Sequence, residues 1–167
     1  MKKLIALMMA VAMVLCFAAC DNGTAPDTQG TVPAEKSFTF TYQGTEITFG
    51  APAEPILAAL GEEKTYTESA SCAFEGLDKT YGYGSFYLTT YPMDGKDYIY
   101  AWYFVDDMVE NEEGIHIGST QAEVEKAYGK DGFNGTNSYT MKKGNGMLVI
   151  LLENELVSSI QYTMLTD

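Results

Sequence analysis

The sequence contains no arginine, a single histidine (His116), a single tryptophan (Trp102) and three cysteines in 167 residues. Each shortage closes a class of function. Without arginine there is no planar fork for two-pronged capture of phosphate or carboxylate. Ten lysines against 23 acidic residues leave no basic groove for a nucleic-acid backbone. One histidine excludes the metal and acid–base sites that need several. The longest apolar run, residues 4–19, has 16 residues, short of the about 20 that span a bilayer.

That run follows a basic start, Met1-Lys2-Lys3, and ends in Phe17-Ala18-Ala19-Cys20, the layout of an export signal with small residues before its cleavage point. The last four residues resemble the lipobox of bacterial lipoproteins, with Phe17 where leucine is usual. The resemblance implies cleavage before Cys20, a lipid on its sulfur, and a protein anchored through that lipid on the outer face of the cytoplasmic membrane, at the cell surface. Cys16 follows the bulky pair Val14-Leu15 and suits the pattern less. An ordinary export signal cut after Ala19, without lipid, is the alternative.

A chain starting at Cys20 keeps eight lysines and 23 acids, a net charge of −15. With Cys20 lipidated, only Cys72 remains, so no intrachain disulfide forms and packing must hold the fold. Cys72 lies in Ser71-Cys72-Ala73-Phe74, an apolar, strand-like setting that reads as a buried structural thiol. Residues 20–36 are rich in Gly, Pro, Thr and Asp with no apolar period. They read as a flexible tether.

Two stretches of the chain resemble each other. Residues 47–61 and 115–129, offset by 68, share Ile47/Ile115, Gly50/Gly118, Ala59/Ala127 and Gly61/Gly129. Residues 98–104 align with 156–162 at an offset of 58. Each copy opens with a short strand ending at glycine, followed by a helix of about two turns. In the second copy Thr120 and Glu123 have capping-box spacing, and Gly129 suits the position after the helix. In the first, Pro52 suits the first turn and Pro55 comes late for it.

Strands are expected over 37–42 and 45–49, a hairpin around Gln43-Gly44, then over 68–74, 81–91, 98–105, 138–142, 147–152 and 156–164. The expected fold is α+β: two tandem helix-plus-three-strand repeats forming an antiparallel sheet with short helices on one face. The expected domains are a signal peptide (1–19), a lipidated cysteine and tether (20–36), a first repeat with its hairpin (37–110) and a second repeat (111–167).

The segment Ile115-His116-Ile117-Gly118-Ser119-Thr120, with Glu123, Val124 and Gly129, resembles the opening motif of β-lactamase-inhibitor-protein-like repeats and of the related small outer-membrane assembly lipoproteins. Glu62 and Lys130 stand where that motif usually has proline after its last glycine. Residues 71–84 are similar to a segment of uncharacterised lipoproteins from anaerobic Gram-positive bacteria. The resemblance implies a non-enzymatic protein that binds other proteins through an aromatic-rich sheet face or loops.

Seven of the twelve tyrosines fall between Tyr81 and Tyr103. Read as one strand, residues 81–91 place Tyr81, Tyr83, Tyr87 and Tyr91 on one face, with Phe86 and Leu88 on the other. This row, with Trp102 near it, is the expected partner-binding surface; ordinary structural tyrosines are the competing reading. Tyr98, Tyr100, Trp102 and Phe104 form a second row whose side is open. The acidic residues 106–113 lack calcium-loop spacing and read as a solvated linker. His116 reads as structural. No catalytic residue, metal site or cofactor is expected. The function expected is therefore a lipid-anchored, non-catalytic protein-binding module, which the charge would direct to a basic or neutral partner. Alternatives are a structural or assembly lipoprotein of an envelope complex and, less favoured, a hydrolase using a carboxylate pair.

Overall fold

The computed structural model describes residues 36–135 and 137–166; the signal segment 1–19, Cys20 and all but the end of the tether lie outside them. The described chain begins with a hairpin, β1 (Thr39–Tyr42) and β2 (Thr45–Thr48). Gln43 and Gly44 turn it with φ of 49° and 84°, the paired left-handed conformation that matches strand twist in a two-residue turn. Helix α1 (Ala53–Leu60) follows, with Pro52 at its start and no side-chain cap. Then come β3 (Thr65–Ala70), β4 (Leu77–Gly82), β5 (Phe86–Met93) and β6 (Lys96–Phe104). Helix α2 (Gln121–Tyr128) is closed by the full capping box of Thr120 and Glu123. Strands β7 (Ser138–Lys143), β8 (Gly146–Glu153) and β9 (Leu156–Met164) complete the chain.

The fold is mostly β, which corrects the expected α+β class of helix-plus-strand repeats. Among the described residues nine strands form two antiparallel sheets, a hairpin and a seven-stranded sheet of order β3-β4-β5-β6-β9-β8-β7. The two helices have eight residues each, too few to make a layer of their own. A large share of the sheet's covered face instead packs against Phe38, Phe40, Ile47 and Phe49, on and beside the β1–β2 hairpin. Ala53 and Ile56 of α1 and Val124 of α2 fill the rest. The helical period was real but brief; strand pairing carries the chain.

Within this fold the two matched segments make the same local hydrogen bonds. Gly50 N and Ile99 N bond Ile99 O and Ala51 O at 2.8 and 2.9 Å; Gly118 N and Val157 N bond Val157 O and Ser119 O at 2.8 and 2.7 Å. The β5–β6 register skips Tyr100 and the β8–β9 register skips Ser158, so each copy carries a bulge at the same place. At the centre, Trp102 pairs with Tyr162 and Phe104 with Ile160. An offset of 58 exchanges these two pairs, so the seam has a local two-fold relation.

Trp102 is fully buried at that seam. Its ring stacks on Phe49 at 4.4 Å and on Tyr162 at 5.3 Å. The connection 106–113, expected as a solvated linker, is tied down here. Val109 and Asn111 are buried, and Asn111 Nδ2 donates to the phenol oxygens of Tyr128 and Tyr162 at 2.7 and 2.8 Å. Its Oδ1 accepts from the backbone N–H groups of Glu113 (3.2 Å) and Ile115 (2.8 Å), so a buried amide is satisfied at both ends. Burial first, and the neighbouring tyrosine next, hold the Tyr128 phenol far above its ordinary range.

Replacing Trp102 by alanine is predicted to cost about 3–5 kcal/mol, a large part of an ordinary domain's stability of about 5–15 kcal/mol. Urea unfolding of wild type and Trp102→Ala checks this; a loss below about 1 kcal/mol would contradict the central role of the stack.

Candidate functional site

Side chains alternate along each strand, so register decides what the sheet shows to solvent. Phe86, Leu88 and Thr90 of β5 and Trp102 and Phe104 of β6 are buried on the covered face. The opposite parity therefore emerges on the other face: Tyr87, Thr89 and Tyr91 of β5, paired with Tyr103, Ala101 and Tyr98 of β6. Further across lie Gln161 and Thr163 of β9 and Val149 and Met147 of β8. Leu151 is 44% exposed there. The bulge at Tyr100 switches the parity of β6, so that Tyr98 and Tyr100, even-numbered like the buried Trp102, lie on this face, with the Tyr100 ring 6.1 Å from Tyr91.

The central feature of this open face is a stack of Tyr87 on Tyr103, with centroids 4.9 Å apart and rings 12° from parallel. Gly82 makes room for it. Gly82 pairs with Tyr87 across β4–β5, and a Cβ at Gly82 would stand 2.8 Å from Tyr87 Cε1 and 2.2 Å from Thr65 Oγ1. The ring of Tyr87 thus lies over bare backbone on one strand and against a partner ring on the next, an arrangement known to support glycine in sheets.

Burial, then the neighbouring phenol, raises the Tyr103 pKa; burial, then Tyr98, raises that of Tyr91. Both phenols therefore stay protonated at neutral pH and act as hydrogen-bond donors and acceptors. Their combination of ring area with a polar tip suits contact with another protein surface.

The five expected partner-binding residues do not form one row. Residues 81–91 are not one strand: Tyr83, Gly84 and Ser85 turn between β4 and β5, with Gly84 at φ 95°. Tyr87 reaches the open face half-buried; Tyr91 lies on the same side of the sheet but is buried, with Phe74 of the loop 71–76 at 4.6 Å. Tyr81 pairs with Leu88 and lies on the covered side against the core. Tyr83 is 7% exposed and stacks on Phe86 at 5.2 Å; burial, with Glu63 adding to it, raises its phenol to about 12. Trp102 is core. Tyr98, Tyr100 and Tyr103 belong to the open face. The signal for Tyr103 was the apolar Trp102 and Phe104 flanking it at the other parity; Tyr98 and Tyr100 share the parity of that core pair, and alternation gave no sign of them.

Cys72 is exposed, which corrects its reading as a buried thiol. Strand β3 stops at Ala70, and Cys72 lies in the loop 71–76. Half-buried His116 has its Nδ1 2.9 Å from Ile117 O. Among the described residues, no cluster of three His, Cys, Asp or Glu is placed to hold a metal ion.

Comparison of the chain with protein-family models, with curated proteins and with solved structures finds no match.

Replacing Gly82 by alanine is predicted to push Tyr87 off β4 and break its stack on Tyr103, at a cost of about 1–3 kcal/mol. Near-ultraviolet circular dichroism and thermal unfolding check this. An unchanged tyrosine signal with unchanged Tm would contradict the packing described.

Proposed function

We propose that the chain is a lipid-anchored, non-catalytic binding module of the cell surface, which contacts a protein partner through the open face of its seven-stranded sheet. The observation that carries this reading is the Tyr87–Tyr103 stack with Tyr98 and Tyr100 on a solvent-facing sheet. These four tyrosines are half-buried, and aromatic groups held in place on a sheet offer contact area with little side-chain entropy to lose. The net charge of −15 from Cys20 onward favours a basic or neutral partner and an association weakened by salt. The anchor rests on the sequence around Cys20, outside the described residues. No helix among the described residues is long and apolar enough to cross a membrane, and a lipid on Cys20 would make such a helix unnecessary.

Two measurements test the reading. Changing Cys20→Ala is predicted to move the protein from the membrane fraction to the soluble fraction; retention in the membrane would defeat the anchor. A photo-crosslinking residue at Tyr103 or Thr89 of the protein on intact cells is predicted to give a discrete adduct that the same group at exposed Asn134 does not. Adducts from all three positions alike, or from none, would defeat the binding face.

A further inference from the structure

The loop 71–76 folds over one corner of the open face and half-encloses a pocket of about 130 Å³ between itself, β4, β5 and β6. Its walls include Phe74, Tyr91, Tyr100, Asp78 and the thiol-bearing Cys72. Phe74 lies 4.6 Å from Tyr91, and the Tyr100 ring stands 71° to that of Tyr91, so the rings form adjoining walls. The loop is held by Ser71, whose Oγ accepts from the N–H groups of Ala73 and Phe74 at 3.4 and 3.2 Å and whose N–H donates to Gly76 O at 3.0 Å.

Asp78 gives the cavity its charge. Asp78 lines the pocket, and its Oδ1, out of contact with both solvent and the pocket space, has no hydrogen-bond donor among the described residues, so a cation in the pocket acts on this carboxylate through space. The neighbouring Lys79 is bound to Asp97 at 2.7 Å, and the other ion pair of the described residues joins Lys130 to Glu125. A carboxylate oxygen withdrawn from water without a partner is unfavourable and is relieved by a cation. Aromatic faces beside it favour a weakly hydrated organic cation. One carboxylate falls well short of the six to eight oxygens calcium takes. The volume has room for about four water-sized groups, the size of an ammonium head with its first methylenes or methyl groups.

We propose that this cavity binds an alkylammonium group, which on the reading above is a lysine side chain of the protein partner. The aromatic walls hold the methylenes and the charged head lies toward Asp78. The same chemistry could come from a free quaternary amine, and the test separates the two.

Cys72, exposed at the rim of the pocket, reports on it. The full chain in a nonionic detergent is treated with trimethylammonium-ethyl methanethiosulfonate or with neutral methyl methanethiosulfonate, and modification of Cys72 is read by peptide mass mapping. A control thiol, Asn134→Cys, corrects for the overall negative charge. The expected result is a cationic-to-neutral rate ratio at Cys72 at least tenfold above that at residue 134. It falls to the control value in Asp78→Asn and is suppressed by added N-acetyl-lysine methylamide or tetramethylammonium. Stronger suppression by the lysine derivative assigns a partner lysine; stronger suppression by tetramethylammonium keeps the ammonium site and assigns a free amine. A ratio equal to the control, unaffected by either cation in the unaltered protein, overturns the proposal whether or not Asp78→Asn folds. Loss of crosslinking from Tyr103 with this ratio intact would instead overturn the protein-partner reading alone.

Discussion

The pairing of β6 with β9 around Trp102 is the constraint on which the rest of the molecule depends. These two strands join β3–β6 to β7–β9, and without them there are two small sheets, each short of a core. Trp102 is held between Phe49, beside the hairpin, and Tyr162 of the opposite strand. One side chain therefore ties the hairpin and both halves of the large sheet together. The local two-fold relation at this seam makes the Trp102–Tyr162 and Phe104–Ile160 pairs equivalent, so each pair sets at least one large aromatic side chain across the strands.

That seam also decides the open face. Because Trp102 and Phe104 point into the core, Tyr103 must point out, and antiparallel pairing then brings Tyr87 beside it. Gly82 lets the Tyr87 ring settle, and the bulge admits Tyr100. The polar group that spans the connection is treated differently: Asn111 sits among buried rings with both ends of its amide satisfied. Such a group fixes the path of the connection, since any shift would leave its donors without acceptors.

Local features were legible in the sequence where short-range chemistry decides them. The Gln43-Gly44 hairpin, the Thr120–Glu123 cap and the strands of the last third follow from turn residues, capping spacing and alternation. The fold class did not, because the helical signals describe two turns each while the covering of the sheet falls to a hairpin far from it in sequence. The tyrosine row failed for a related reason. Alternation over residues 81–91 assumes one unbroken strand, and the left-handed Gly84 reverses the chain within it. Tyr98 and Tyr100 are parted from Trp102 and Phe104 of the same parity by a bulge, which no period of two can express. Cys72 looked like core by its neighbours, yet its loop crosses the surface.

The central claim is that the sheet has one closed face and one open, tyrosine-bearing face. Mild nitration of the folded protein, mapped residue by residue, tests it most directly. The account predicts modification at Tyr87, Tyr98, Tyr100 and Tyr103 while Tyr139 and Tyr162 remain protected until the protein unfolds. Protection of Tyr87 and Tyr103 equal to that of Tyr162 would contradict it.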